Sequence, residues 1–491
     1  MAGELKFLAF DLGAESGRAV MGLLKNGRLE LADVHRFSTV GTAVGDSLYW
    51  DVLKLFGEMK QGMRLAVQEH GRDIAGAGID TWGVDFGLLG PDDALLENPH
   101  CYRDSRTDGM MEEAFKAVPH EEIYAATGIQ FMQLNTLYQM LSLARNRRWL
   151  LDTARTMLMM PDLFNFWFTG VKANEFTEAT TTQFYNPREG GWAKSLLDRL
   201  DIPTHFLGEI VPPGTVLGKL RVSVAEEVGA SIPFVAPATH DTGSAVAAVP
   251  AKGQGHAYIS SGTWSLMGVE SREPIINEKA LEFNVTNEGG VDNTFRVLRN
   301  IMGLWLVQEC RRTWAQAGKE YAYAELTEMA SAAEPFRSVV DPDDTSFLKP
   351  GDMPSRIREF CKKTNQPIPE DEGSIVRTAL DSLALKYRWV LERLESLMGH
   401  RLDPIHIVGG GTQNHLLSRL TANVTGRQVI AGPVEATAIG NMLVQALGLG
   451  HINSLDEGRE IVRNSFEMMT YEPQADARID DTYGLFKTLL G

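Results

Sequence analysis

This 491-residue sequence predicts an α/β protein built on central sheets. Three observations point that way. Short buried-strand runs alternate with amphipathic helical runs. Each half of the chain opens with a strand, a turn of small and polar residues, and a second strand. Glycine-rich turns sit at strand ends, where sheets of this class take their ligands.

The first strand is read over residues 6–10, ending at Asp11-Leu12-Gly13. Runs at 18–24 and 29–34 flank Lys25-Asn26-Gly27-Arg28, and Asn-Gly between two strand runs is a strong hairpin signal. The opening recurs at residues 256–260, the turn Ser261-Gly262-Thr263, and residues 264–269. Two such openings suggest a duplicated architecture. Pro250-Ala251-Lys252-Gly253 punctuates the chain between them, giving expected domains 1–250 and 251–491. Residues 374–398 place Ile375, Leu380, Leu383, Tyr387, Leu391 and Leu394 at helical spacing, closed by Gly399. A short strand at 405–408 leads into Gly409-Gly410-Gly411. A helix follows with Leu416, Leu417, Leu420 and Val424 on one face, then a strand at 429–431 and a helix at 435–447.

Composition narrows the function. Hydrophobic residues make up 44% of the chain and charged residues 23%, which fits a folded protein with sizeable cores. The 47 Lys and Arg against 64 Asp and Glu give a formal charge of −17. That balance argues against nucleic acid or an anionic membrane as partner. Cys101, Cys310 and Cys361 are too dispersed for a zinc site or a disulfide framework, and imply a reducing compartment. The N-terminal segment reads as a first strand rather than a signal peptide, and no apolar run is long enough to span a bilayer. A cytoplasmic protein is expected, with its oligomeric state left open.

Several familiar motifs are absent. GTVLGK at residues 214–219 lacks P-loop spacing, and neither a GxGxxG fingerprint nor a GxSxG elbow is present. The stretch PATHDTGSAVAAVP, residues 237–250, sets Asp241 between His240 and Thr242 at the mouth of a small-residue helix. One carboxylate there, with phosphate-friendly loops near both chain ends, points to phosphoryl transfer to a hydroxyl group. Taken alone, Asp241 also reads as a helix cap. Asp11 ends a buried strand, and Gly13, Ala14, Ser16 and Gly17 allow backbone amides to approach a phosphate. Asp11 is then a candidate to hold Mg²⁺ through water; a hairpin turn with a capping Asp is the competing reading. The Glu15 carboxylate would repel phosphate, so its side chain is expected to turn away or to reach the metal shell. Thr263 and Gly410 lie in two further small-residue turns. Trp82 offers a flat face to a sugar or packs in the core, and Asp80 or Asp85 could accept sugar hydroxyls. Asn300 either reaches substrate or caps a helix.

Taken together, FDLGAESGR, GIDTWGVDFGLL, CYRDSRTDG, GIQFMQLNTLYQ, NEFTEATTTQ, ATHDTGSAV, YISSGTWSLMG, NVTNEGG, RVLRNIMGLW and IHIVGGGTQN resemble the FGGY carbohydrate kinases of the actin-like ATPase superfamily. The resemblance covers nearly the whole chain. It implies two ribonuclease-H-like domains with a cleft between them, the first mainly for sugar and the second mainly for ATP. It implies ATP-dependent phosphorylation of L-rhamnulose at O1, with Mg²⁺ and with Asp241 as proton acceptor. It places Gly83, His240, Asp241, Thr242 and Asn300 near the sugar. Ala14, Glu15, Ser16, Gly17, Arg18, Thr263, Gln308 and Gly410 would lie around ATP, and Asp11 near the metal. Two alternatives stay open: a sister kinase for fuculose, xylulose or ribulose, and a non-catalytic, ATP-gated binding protein.

Overall fold

The computed structural model describes residues 4–490. Residues 1–3, part of the N-terminal segment read above as leading into a strand, lie outside them. The chain divides into two compact units. One takes the chain up to Pro250 together with Glu270–Val297 and Ala436–Ser465; the other takes Ala251–Val269, Leu298–Glu435 and the chain from Phe466 on.

In the first unit, β1 (Leu5–Leu12), β2 (Ser16–Lys25) and β3 (Arg28–Ser38) form the expected antiparallel ribbon. Asn26 and Gly27 both take positive φ, 53° and 71°, and close β2 onto β3 with Lys25 opposite Arg28. Both central residues of a type I′ turn need that left-handed backbone, which is why Asn-Gly marks it. The strands β4 (Gly76–Thr81), β5 (Thr215–Lys219) and β6 (Pro233–Ala236) complete a six-stranded sheet of order β5-β6-β4-β1-β2-β3. β4 runs parallel to β1, with Asp11 beside Asp80, so two carboxylates end adjacent strands.

Helix α1 (Val52–His70) lies on this sheet. Asp51 caps it by accepting the amide of Lys54, and its buried stripe Leu55, Met59, Met63 and Ala66 shares one core with Leu8, Phe10, Ile79 and Phe234. Helix α2 (Asp241–Ala247) follows β6. The late helix α3 (Ala436–Gly448) also belongs to this unit, and its Gln445 donates to the carbonyl of Leu8 at 3.0 Å. A methyl group at Gly440 would sit 1.8 Å from the carbonyl oxygen of Ser244, so α2 and α3 touch backbone to backbone.

The second unit repeats the pattern. Strand β7 (Ala257–Ser261) pairs antiparallel with β8 (Trp264–Ser271) and parallel with β10 (Ile405–Val408). With the edge strand Thr286–Gly289, β9 (Phe295–Met302), β11 (Val429–Ala431) and β12 (Met469–Tyr471) the seven-stranded order is Thr286–Gly289, then β9-β8-β7-β10-β11-β12; the edge strand and the first three residues of β9, Arg296 among them, belong to the first unit. The long helix expected from periodicity spans Glu372–Met398; Asp371 caps its start and Gly399, at φ 74°, ends it.

The α2–α3 contact yields a test. Gly440→Ala overpacks backbone against backbone and should destabilise the protein by about 1–3 kcal/mol. A fall in Tm should accompany loss of activity, since Ser244 lies on the helix that begins at Asp241. An unchanged Tm would refute the close approach.

Candidate active site

β1 and β2 are joined by a tight turn in which the amide of Gly13 donates to the carbonyl of Ser16 at 3.0 Å. Thr39 braces that turn, its hydroxyl donating to the carbonyl of Gly13 and its amide to that of Glu15. Ala14 and Glu15 are half-buried and Ser16 is exposed, so the turn is open to solvent. Gly17 is dictated by packing, because a methyl group there would lie 2.4 Å from the Phe37 ring. Arg18, opposite Asp11 in the register, donates Nε and Nη2 to Asp11 Oδ2 at 3.1 and 2.8 Å. Asp11 thus carries a guanidinium on one oxygen and keeps Oδ1.

His240 and Asp241 begin α2. His240 occupies the capping position without a side-chain cap bond, so Asp241 is not the helix cap. Asp241 Oδ1 accepts the amide of Thr242 at 2.5 Å and its hydroxyl at 3.2 Å, and His240 Nε2 lies 3.5 Å away. The donors within the protein converge on Oδ1. About a third of the side chain remains exposed. Burial raises the Asp241 carboxyl above its ordinary value, His240 pulls it down, and Asp11 pushes it up. Asp80 is raised further, by burial first and by the Asp11 and Asp241 charges, while Asn441 of α3 donates to its Oδ2 at 2.6 Å. Gly83 packs against the His240 ring, and a methyl group there would lie 3.2 Å from Nε2.

The loop carrying His240 is held from below by Glu175. That buried carboxylate accepts the amides of Thr177 and Thr239 and both of their hydroxyls. Thr177 Oγ1 in turn accepts the amide of His240 at 3.1 Å. Neither Glu175 nor Thr177 was singled out as a site residue from sequence. The signal was present in NEFTEATTTQ, whose density of Glu and Thr is unusual for a buried segment.

In the second unit, the turn between β7 and β8 bears Thr263, half-buried, whose carbonyl accepts the amides of Gly303 and Trp305. Trp305 starts the helix Trp305–Gln316, which carries Gln308 one turn in, its Oε1 buried without a hydrogen-bond partner. The three glycines after β10 differ in kind. Gly409 has φ 89°, and a methyl group on Gly411 would strike Ser261 Oγ at 2.0 Å. Gly410 is exposed, has ordinary φ, and faces open space. Backbone and packing explain its neighbours but not Gly410, which leaves room for a bound group. A single 3₁₀ turn, Gly410–Gln413, separates these glycines from the helix His415–Thr425, which Asn414 caps. Thr263, Gln308 and Gly410 therefore share the end of the β7 and β10 strands. Asn300 lies half-buried on β9.

Family models for the FGGY family of carbohydrate kinases match residues 6–248 with the N-terminal domain and 257–449 with the C-terminal domain. The chain belongs to the FGGY family of carbohydrate kinases. This FGGY kinase is 44% identical to a rhamnulokinase of Bacteroides thetaiotaomicron over 98% of both chains. It is 43% identical to a rhamnulokinase of Oceanobacillus iheyensis over 94% of this chain and 97% of that one. Its fold matches gluconate kinase from Lactobacillus acidophilus (TM-score 0.79, 16% identity, 99% and 96% of the chains). It also matches Plasmodium falciparum glycerol kinase with ADP (TM-score 0.77, 15% identity, 99% and 97%). The expected two-domain, ribonuclease-H-like fold of the actin-like ATPases is present.

The structure of this kinase decides two readings that the sequence left open. Trp82 is core, 5% exposed, with its ring centroid 4.1 Å from that of Trp50. Asp85 is fully buried and spends its oxygens on Trp50 Nε1 (2.6 Å), Trp82 Nε1 (3.0 Å), the Tyr102 amide (3.1 Å) and Gln139 Nε2 (3.0 Å). A carboxylate so engaged has nothing left for sugar hydroxyls; it fastens two indoles to the strand end. Burial nevertheless pushes its carboxyl up to about 6. Below that value the folded protein binds a proton that the unfolded chain, at an ordinary Asp value, has released. The stability that Asp85 contributes therefore falls as pH rises between about 4 and 6. Asp85→Asn removes that titration. The stability of wild type relative to Asp85→Asn, from urea midpoints, should be greater at pH 5 than at pH 7.5 by about 1.4 kcal/mol. Equal differences at the two pH values would rule Asp85 out as the titrating group.

Proposed function

We propose that this chain transfers the γ-phosphoryl group of ATP to O1 of L-rhamnulose, giving L-rhamnulose 1-phosphate and ADP. The sugar follows from the rhamnulokinases that match it over nearly full length. One observation carries the mechanism. Asp241 has its donors on Oδ1 at the opening of α2, which leaves Oδ2 for an incoming hydroxyl.

In this reading Asp241 Oδ2 accepts the O1 proton as the new oxygen–phosphorus bond forms and the bond to ADP breaks. Phosphoryl transfer asks mainly for positioning and charge stabilisation. His240, Thr242 and Gly83 shape the sugar side, and Asn300 contributes to the same substrate. The open turn 14–18, with Thr263, Gln308 and Gly410, serves the nucleotide through backbone amides and small side chains. The first unit then works mainly on sugar and the second mainly on ATP. Mg²⁺ would be held by Asp11 through water and would offset phosphate charge. Among the described residues no three His, Cys, Asp or Glu side chains cluster closely enough to chelate a metal directly, and Mg²⁺ commonly keeps several waters. Among the described residues, too, no helix is long and apolar enough to cross a membrane. The three thiols are buried and unpaired, which supports a cytoplasmic setting.

The deciding experiment is ADP release by purified protein with Mg-ATP, comparing L-rhamnulose with L-fuculose, D-xylulose, L-ribulose and no sugar. Selective response to L-rhamnulose is expected. A stronger response to another ketose would move the specificity and keep the chemistry, whereas no sugar-dependent release would favour a binding protein. Asp241→Asn should lower kcat about 10²-fold or more. Because burial raises the Asp241 carboxyl and only its ionised form accepts the proton, wild-type kcat/KM should fall as pH drops. That loss should begin above the range of an ordinary aspartate.

A further inference from the structure

Arg296, near the start of β9, has no exposed side-chain surface. Its Nε donates to the carbonyl of Gly289 at 2.7 Å and its Nη2 to His240 Nδ1 at 3.0 Å. Glu288 Oε2 lies 3.2 Å from the same Nη2 and balances the buried guanidinium. The segment bearing Glu288 is itself fixed: the amide of Gly289 donates to Thr180 Oγ1 at 2.7 Å, and a methyl group on Gly289 would strike the Phe176 ring at 2.6 Å.

A guanidinium has five donors and no acceptor. The bond between Arg296 and His240 therefore requires the lone pair of Nδ1, and the ring proton must sit on Nε2. That nitrogen faces Asp241 Oδ1 at 3.5 Å, a separation of the kind that tightens when substrate completes a site. We propose that Arg296 is a positioning residue for the phosphoryl transfer: it holds His240 as the neutral Nε2–H tautomer, whose proton is directed at Asp241 Oδ1 and leaves Oδ2 as the oxygen that receives the sugar proton. This rests on Asp241 being the proton acceptor.

The charges around the ring show why one arginine matters. Asp241 faces Nε2 and Glu288 faces Nδ1 at 3.4 Å. Glu178 is fully buried and close enough to Asp241 for each to feel the other's charge, as are Asp11 and Asp80. Glu175 lies beneath through Thr177 and Thr239. None of these acidic groups supplies a fixed donor to the ring, and Arg296 is the cation whose donor claims the Nδ1 lone pair. Without Arg296, Nδ1 is free to take a proton and share it with Glu288. Nε2 then presents a bare lone pair to Asp241, and Oδ1 loses its imidazole donor.

The test starts with the resting wild-type protein, so it does not depend on turnover or on the identity of the sugar. In ¹⁵N-histidine-labelled protein, His240 (assigned by the signal lost in His240→Gln) should show a protonated Nε2 and an unprotonated Nδ1 around neutral pH. A proton on Nδ1, or a doubly protonated ring, overturns the proposal. Arg296→Met should move the ring proton of His240 from Nε2 to Nδ1 and lower kcat about 10- to 100-fold with a smaller change in sugar KM. Arg296→Lys, which keeps a charged donor, should restore part of both. A folded Arg296→Met protein with unchanged His240 signals and kcat also refutes the role. If that variant does not fold, the wild-type spectrum decides alone.

Discussion

The acceptor side of the first unit depends on one buried anion, Glu175. Its two oxygens gather two amides and two hydroxyls from Thr177 and Thr239, segments about sixty residues apart in sequence. Removing it would leave those donors buried without partners, at roughly 1–3 kcal/mol each. Burial raises its own carboxyl, so the fold bears an electrostatic cost to keep it there. What that cost secures is the path from Thr177 to the amide of His240, and so the placement of His240 and Asp241 at the start of α2.

Around this anchor the unit collects acidic side chains to an extent that composition alone does not explain. Asp80, Asp162, Glu178 and Asp241 all have their carboxyls raised, with burial as the first cause. A cluster of like charges opposes folding, and its offsets are local: Arg18 on Asp11, Arg296 beside Glu288, Asn441 on Asp80. Such arrangements are characteristic of places where a fold holds groups ready for charge transfer or for a cationic partner.

Local features were legible in the sequence because local chemistry determines them. Asn26-Gly27 specified its turn, the runs at 405–408 and 429–431 are the strands Ile405–Val408 and Val429–Ala431, and Gly399 ended the long helix. Asp241 stood out because a carboxylate beside small residues at a helix start is rare. The partners of these residues were not legible. Arg296 reaches His240 across 56 positions and Asn441 reaches Asp80 across 361, and no periodicity encodes such pairings. Trp82 and Asp85 looked like ligand groups because an aromatic and an acid at a strand end serve sugar and core equally well; Trp50 and Gln139, far off in sequence, decide the matter. The triple glycine needed three-dimensional neighbours before its members could be told apart.

Helix α3 carries a consequence for how the protein is made. The unit that begins the chain needs Asn441 on Asp80, Gln445 on the carbonyl of Leu8, and Gly440 against Ser244. Its last pieces leave the ribosome only after nearly all of the other unit, some 10–40 s after Pro250 at ordinary elongation rates of about 5–20 residues per second. Until then the N-terminal sheet waits with an uncovered face and a solvent-facing Asp80. The first unit therefore cannot be completed before then, and truncation anywhere before residue 436 would leave both units incomplete rather than one intact.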